Sequence, residues 1–102
     1  MKHFLIKYQL KAGTEEQRRQ EMVAFIAAMD GDPAVKGKIS YRCMKVPGRA
    51  DYLHIVAAQD EAVKALQTQD YFKRYTDQTK TGAGGEIEVI PLESIAETSF
   101  RL

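Results

Sequence analysis

Residues 2–33, KHFLIKYQLKAGTEEQRRQEMVAFIAAMDGDP, decide the fold of this chain. In their first part Phe4, Ile6 and Tyr8 alternate with other residues, which is the two-residue period of a β-strand over residues 2–10. In their second part apolar residues recur every three or four positions, which is the period of an amphipathic helix. These apolar residues are Met22, Phe25, Ile26 and Met29. The sequence therefore predicts a strand followed by an amphipathic helix.

Both ends of this helix carry capping signals. Thr14 is the expected N-cap, and Gln17 three residues later completes a capping box. The segment DGDP at residues 30–33 ends the helix, since Gly31 can take the left-handed conformation and Pro33 cannot continue helical hydrogen bonding. The helix is thus predicted to run between these two signals.

Two strands joined by a tight turn are predicted next. Residues 38–46 and 52–58 alternate as strands, and the turn lies at residues 47–51. Neither face of the second of these strands is fully polar. One face carries Leu53, Ile55 and Ala57, and the other carries Tyr52, His54 and Val56. Helices can cover one face of such a sheet, and we expect a second copy of the same sheet to cover the other.

A helical stretch and an edge strand complete the pattern. The stretch begins at Asp60, and Asp70 restarts it as a separate helix. The glycine-rich residues 81–85 are expected to be a flexible break before a last strand at residues 86–92. Pro91 indicates a sheet edge, because proline cannot donate to a strand ladder. The order β-α-β-β-α-β is the ferredoxin-like plan, an α+β fold with a four-stranded antiparallel sheet.

Length and charge limit the classes of protein that fit. The 102 residues, 44% of them hydrophobic, leave room for one domain over residues 1–102 with one modest core. The 15 basic and 14 acidic residues are scattered and form no basic stripe, so nucleic acid is not an expected partner. Arg18 and Arg19 are interpreted as the solvated face of the first helix. The tail at residues 93–102 could pack on a partner subunit or fray in solvent.

The single cysteine and the chain start indicate a reducing compartment. Cys43 has no second cysteine for a disulfide or a multi-cysteine metal site. Its alternation with Ile39 and Tyr41 predicts a buried structural thiol rather than a nucleophile. The apolar run after Lys2 is shorter than the roughly 7–15 residues of a signal-peptide core. We therefore expect a soluble, cytoplasmic protein with no metal site, no added cofactor and no membrane contact.

Five residues are candidates for chemistry or ligand binding. His54, in mid-strand, is the candidate catalytic acid or base, because imidazole titrates near neutral pH. A hydrogen-bonded structural histidine is the alternative. Arg42 is a candidate clamp for an anionic ligand group, although a cross-strand ion pair explains it equally well. The aromatic residues Tyr71, Phe72 and Tyr75 are candidates to line a pocket for a planar apolar ligand, or to form core.

The chain resembles the dimeric α/β-barrel superfamily, which includes antibiotic biosynthesis monooxygenase-like and stress-responsive barrel proteins. The resemblance covers nearly the whole chain and rests on the element order, the capped helix after KAGT at residues 11–14, DEA at 60–62 and DYF at 70–72. It implies a homodimer whose sheets pack face to face, with a small-molecule pocket between sheet and helices in each subunit. Some members oxidise polycyclic aromatic substrates with dioxygen and no added cofactor, and some degrade haem. This chain lacks the Trp and Asn residues that those members use.

Two functions follow from the residues and the resemblance. The first is a monooxygenase-like enzyme acting on a small hydrophobic or aromatic metabolite, in which His54 moves a proton, the three aromatic residues bind the ring system and Arg42 stabilises negative charge. The second is a noncatalytic dimer that binds a small ligand or a partner protein. The lack of a clustered catalytic constellation in the sequence favours the second function, and the resemblance favours the first.

Overall fold

The computed structural model describes residues 1–100 and confirms the ferredoxin-like α+β fold. The elements, in chain order, are β1 (Lys2–Gln9), α1 (Glu15–Asp30), β2 (Ile39–Lys45), β3 (Asp51–Ala58), α2 (Asp60–Gln67), α3 (Asp70–Gly82) and β4 (Ile87–Leu92). The predicted bounds differ from these by a residue or so at most ends. The predicted restart of the second helical stretch at Asp70 is confirmed as the start of α3.

The four strands form one antiparallel sheet in the order β2-β3-β1-β4. The two strands beside the turn, β2 and β3, are hydrogen-bonded neighbours, and β1 lies between β3 and β4. As Pro91 predicts, β4 is an edge strand. Since β1 and β3 occupy the centre, side chains from these two strands have the best access to the interior.

The N-terminus of α1 has the predicted cap, whereas its C-terminus does not have the predicted left-handed residue. The backbone N–H of Gln17 donates to Thr14 Oγ1 at 3.0 Å, as expected for an N-cap. The prediction of a left-handed Gly31 was wrong, because its φ is −93°. The Gly31 N–H instead donates to Ala27 O at 3.1 Å, so the chain leaves the helix without a left-handed residue.

The two faces of the sheet have different environments. Helices cover the face that carries Tyr52, His54 and Val56, which are all buried. The opposite face, here called the open face, holds partly exposed residues of all four strands, and Ile55 on it is 44% exposed. Its members, by strand register, are His3, Leu5, Lys7, Ser40, Arg42, Met44, Leu53, Ile55, Ala57, Glu88, Ile90 and Leu92.

The interior on the covered face is strongly aromatic. Phe25 of α1 stacks on Tyr75 of α3, with ring centroids 3.9 Å apart and planes 3° from parallel. Tyr8 and Tyr52 stack at 5.3 Å at the other end of the layer. Stacked rings of this kind bury large apolar areas and hold α1 and α3 against the sheet.

The glycine-rich segment begins inside a helix, whereas the sequence predicts a break from residue 81 onwards. Gly82 is the last residue of α3, and its carbonyl accepts the N–H groups of Lys11 and Ala12 at 2.7 and 3.1 Å. Gly84 and Gly85 have φ values of +63° and +82°, which turn the chain into β4. The glycines therefore supply left-handed backbone at a helix terminus, a role that requires no mobility.

The described part of the tail, residues 93–100, contains no helix or strand. Its apolar residues Ile95 and Phe100 are 85% and 75% exposed, so they do not join the core of their own subunit. Leu102, part of the predicted tail, lies outside the described residues. Within residues 1–100, no helix combines the length and apolarity that crossing a membrane requires.

Candidate functional site

A buried arginine lies at the centre of the covered side of the sheet. Arg18 of α1 is only 1% exposed, so its interpretation as part of a solvated face was wrong. Arg19 does lie in solvent, where it pairs with Glu16 at 2.6 Å. The difference follows from helical spacing. Arg18 lies one turn before Met22 and therefore on the apolar face of α1, which packs against the sheet.

The Arg18 guanidinium joins α1 to β1 and α3. Its Nε donates to the Tyr8 hydroxyl at 2.9 Å, and its Nη2 donates to the Tyr75 hydroxyl and to Thr79 Oγ1, both at 2.8 Å. Its Nη1 donates to Glu21 Oε1 at 3.1 Å. A buried guanidinium is costly unless its donors are satisfied, and here three hydroxyls and one carboxylate satisfy four of the five.

His54 completes this group from β3. It is fully buried, and its Nε2 lies 3.0 Å from the Tyr8 hydroxyl. Its Nδ1 lies 3.2 Å from the Tyr41 hydroxyl and 3.4 Å from that of Tyr75. The Tyr8 oxygen accepts from Arg18, and its own proton is available to His54 Nε2; when Tyr8 donates in this way, the ring proton of the neutral imidazole lies on Nδ1.

We call these residues the Arg18–His54 cluster: Arg18, His54, Tyr8, Tyr41 and Tyr75. Burial and the nearby Arg18 charge lower the pKa of His54 to about 4, so the imidazole is neutral at pH 7. Burial raises the pKa of Tyr8 to about 12, against the opposing effect of Arg18. Burial also raises the pKa values of Tyr41 and Tyr75. At neutral pH, Arg18 is therefore the one charged member of the cluster.

This arrangement has the components of an acid–base centre. A neutral imidazole can accept a proton, and the Tyr8 hydroxyl between His54 and Arg18 can relay one. A fixed guanidinium in a buried setting stabilises a negative oxygen that forms beside it. In the described part of the chain, every buried side-chain nitrogen and oxygen has at least one hydrogen-bond partner.

The predicted aromatic ligand-binding residues are divided between the cluster and the core. Tyr75 belongs to the cluster. Tyr71 and Phe72 are partly buried and pack around Phe25, with ring centroids 6.1 and 6.3 Å from it. The Tyr71 hydroxyl donates to Asp32 Oδ2 at 2.7 Å, so it points away from His54 towards the end of α1.

Arg42 is not brought together with His54. The register pairs Arg42 with Ile55 and pairs Cys43 with His54, so Arg42 lies on the open face, on the other side of the sheet. Within one chain the two residues cannot contact the same small ligand in the covered layer. A ligand-binding role for Arg42 stays a prediction that concerns the open face.

Cys43 lies beside the cluster without an evident reactive role. It is partly buried on the covered face, and burial raises the pKa of its thiol, which keeps it protonated. Among residues 1–100, no three His, Cys, Asp or Glu side chains are grouped to hold a metal ion. The chemistry that this side of the sheet offers is therefore proton transfer and stabilisation of negative charge.

The fold is that of a ferredoxin-like domain, and solved structures of antibiotic biosynthesis monooxygenases share it. The crystal structure of an antibiotic biosynthesis monooxygenase matches with a TM-score of 0.76 at 10% identity, over 94% of this chain and 100% of that one. The protein PA3566 from Pseudomonas aeruginosa matches with a TM-score of 0.73 at 16% identity, over 93% and 94% of the two chains. These likenesses confirm the expected resemblance as one of fold.

A third solved structure also shares the fold. A dimeric ferredoxin-like protein of unknown function from Jannaschia sp. CCS1 matches with a TM-score of 0.61 at 14% identity, over 91% of this chain and 98% of that one. No family model and no curated protein sequence matches the chain. The comparisons thus establish the fold, and activity has to be argued from the residues.

Proposed function

We propose that this protein is a monooxygenase-like enzyme that oxidises a small hydrophobic or aromatic metabolite with dioxygen and without an added cofactor. The observation that carries the proposal is the neutral, fully buried His54, joined through the Tyr8 hydroxyl to the charged Arg18. The fold shared with an antibiotic biosynthesis monooxygenase supports the same reaction class. A cytoplasmic location is part of the proposal and is supported by the single cysteine.

The reaction begins with removal of a proton from the substrate. A carbon next to a carbonyl and an aromatic ring loses a proton to His54 by way of Tyr8, and Arg18 stabilises the enolate oxygen that forms. The electron-rich enolate then reduces dioxygen. In the net reaction a CH2 group becomes a carbonyl, which takes one oxygen atom, while both hydrogens leave with the other as water.

Aromatic side chains supply the binding surface for such a substrate. Tyr75 adjoins His54, and its ring is stacked on Phe25. Tyr71 and Phe72 continue this aromatic layer along α3. We propose that a planar ring replaces part of this stacking when it binds, because it can make the same offset and edge contacts that these side chains make with one another.

Homodimer formation through the open face is part of the proposal. Ile55 and Met44 lie on this face and are 44% and 48% exposed. Sheets with two apolar faces are stable when both are covered, and the dimeric ferredoxin-like protein from Jannaschia offers a precedent in this fold. Arg42 would then lie at the subunit interface, where its proposed contact with a ligand's anionic group has to be tested separately from His54.

Oxygen uptake with anthrone, a tricyclic aromatic ketone with an acidic CH2 group, tests the enzymatic function. We expect cofactor-free uptake by the wild type, with anthraquinone and water as products. His54→Gln should lower the rate by at least about 100-fold, the usual contribution of a general base. His3→Gln is the matched control and should leave it unchanged. A wild-type rate in folded His54→Gln would remove His54 from the mechanism.

A noncatalytic ligand-binding dimer is the second candidate. The observation that favours it is that each buried polar atom of the described residues already has at least one partner, so no atom of the cluster requires a substrate to satisfy it. If the protein is such a dimer, anthrone or a related ring system should show saturable binding, and no oxygen should be consumed. The same samples therefore separate the two functions.

A further inference from the structure

A cleft between α1 and α3 opens onto Arg18. Its volume is about 520 Å³, which lies within the roughly 300–1,000 Å³ of small-molecule sites. Arg18 and Glu21 of α1 form one wall, and Arg74 and Asp77 of α3 form the other. The cleft thus reaches the Arg18–His54 cluster from the helical side of the molecule.

One hydrogen-bond donor of Arg18 is left over on this side. Its guanidinium has five N–H groups, of which Nε uses one, Nη2 uses two and Nη1 uses one. The second N–H of Nη1 has no acceptor among residues 1–100. Because the Nη1 partner Glu21 also lines the cleft, this end of the guanidinium is the end nearest to it.

The charges around the cleft favour an anion at the Arg18 end. Glu21 is already engaged by Arg18 at 3.1 Å. Arg74 is exposed at the rim and makes no ion pair within the described residues, so its charge is available to a ligand. Asp77 is also exposed and unpaired within the same residues, and its carboxylate opposes a negative ligand, as does that of Glu21, whose charge Arg18 partly neutralises.

The floor of the cleft suits a flat apolar group. It is formed by Leu10, Ala12 and Gly82, of which Gly82 has no side chain. The backbone of this floor is held in place by the two hydrogen bonds to the Gly82 carbonyl. Small residues on a rigid backbone leave room for a ring to lie against them.

We infer that this cleft is a binding site for a small carboxylic acid with an apolar ring or chain. The carboxylate accepts the remaining Nη1 N–H of Arg18 and interacts with Arg74, while the apolar part lies on the floor. The single N–H that Arg18 has left makes one charge-assisted hydrogen bond to a carboxylate oxygen, and such a bond is stronger than one between neutral groups. The inference goes beyond the proposed oxidation and does not depend on it, since the cleft requires neither His54 nor dioxygen.

Titration with benzoate, followed by amide NMR, tests the site. We expect saturable shifts of the Gly13 and Gly82 amides. Arg74→Gln should weaken binding by about fivefold, and Asp77→Asn should tighten it by about two- to threefold, as expected for charges at an exposed rim. Ala12→Leu should abolish binding by filling the floor. Arg19→Gln changes the same charge on α1 outside the cleft and should leave the affinity unchanged.

The inference is overturned if benzoate gives no saturable shifts, if the shifts lie elsewhere, or if Arg74→Gln and Arg19→Gln bind alike. These variants avoid Arg18, so folding remains intact while the site is tested. Benzoate binding without anthrone oxidation would leave the cleft in place and reject the proposed enzyme. The reverse result would reject the cleft alone.

Discussion

Arg18 and Arg19 are adjacent in sequence, but Arg18 is 1% exposed whereas Arg19 lies in solvent. Two adjacent arginines are typical of a solvated helix face, but the spacing of Arg18 to Met22, Phe25 and Met29 indicates that Arg18 is buried. The partners of Arg18 were harder to find. Tyr75 and Thr79 are one helical turn apart on α3, but a hydroxyl on a helix does not reveal which cation it faces until the packing of α1 on α3 is known.

Replacing the two arginines separately tests the buried network. Arg18→Met keeps much of the side-chain volume and removes the N–H groups that donate to the hydroxyls of Tyr8, Tyr75 and Thr79. We expect it to lower the free energy of unfolding by about 3 kcal/mol, because it leaves buried polar groups without partners. Arg19→Met should change it little. Urea denaturation of both variants is the measurement, and similar effects of the two changes would contradict the network.

His54 predicts a specific pH dependence of stability. Its pKa is about 4 in the folded protein against 6.5 for an exposed histidine, so the unfolded chain binds the extra proton first as the pH falls. Stability is full above pH 6.5 and falls as the pH drops to 4, by about 3 kcal/mol at 1.36 kcal/mol per pH unit. Below pH 4 this contribution has been lost completely.

Comparison of wild type with His54→Gln isolates this contribution. The free energy of unfolding is measured in urea at pH 7 and at pH 4 for both proteins. Protonation of the carboxylates changes it equally in the two proteins, so this effect cancels when the two pH-dependent losses are subtracted. The variant should lose about 3 kcal/mol less than the wild type between the two pH values. Equal losses would mean that His54 titrates normally in the folded state.

At the scale of elements, hydrophobic periodicity predicted the strands and helices correctly, whereas the glycines did not predict how the helices end. Alternation in β3 correctly separated the face of His54 from that of Ile55. The left-handed conformation predicted for Gly31 was wrong, and the break predicted at residues 81–85 begins later, because Gly82 is still the last residue of α3. A helix end can be built with or without a left-handed residue, and the choice depends on the next contacts of the chain rather than on the glycine itself.

Two alanine substitutions test whether the backbone conformation of each glycine requires glycine. Gly85→Ala forces a side chain onto a residue with a φ of +82°, which should cost about 1–2 kcal/mol even though the space around it is open. Gly31→Ala at a φ of −93° should be neutral or slightly stabilising, since alanine restricts the unfolded chain. Thermal unfolding of both variants measures the difference. Equal melting temperatures would contradict the left-handed helix end.

At the scale of the whole molecule, the fold could be predicted because each element has its own pattern. The Arg18–His54 cluster was predicted only in part. His54 and Tyr75 were selected by residue type, whereas Arg42 was grouped with them although odd and even strand positions face opposite ways. Placing Arg42 requires the pairing of β2 with β3, and that is a property of the sheet rather than of either strand.

The open face gives a prediction about assembly. We expect the wild type to sediment at twice its subunit mass of 11.5 kDa. Ile55→Lys, on the open face, should yield monomers because a charge there cannot be buried against a second sheet. Val23→Lys, on the exposed side of α1 at 55% exposure, is the control and should stay dimeric. Dimers of both variants would exclude the open face as the interface.

The pH profile of kcat/KM for anthrone-dependent oxygen uptake tests the central claim most directly. This parameter reports the pKa of the base in the free enzyme. With His54 as a base whose pKa is about 4, the rate should not fall as the pH is lowered from 8 to about 5, and should decline only on approach to pH 4. A decline centred near pH 6.5, or no oxygen uptake at any pH, would contradict the account.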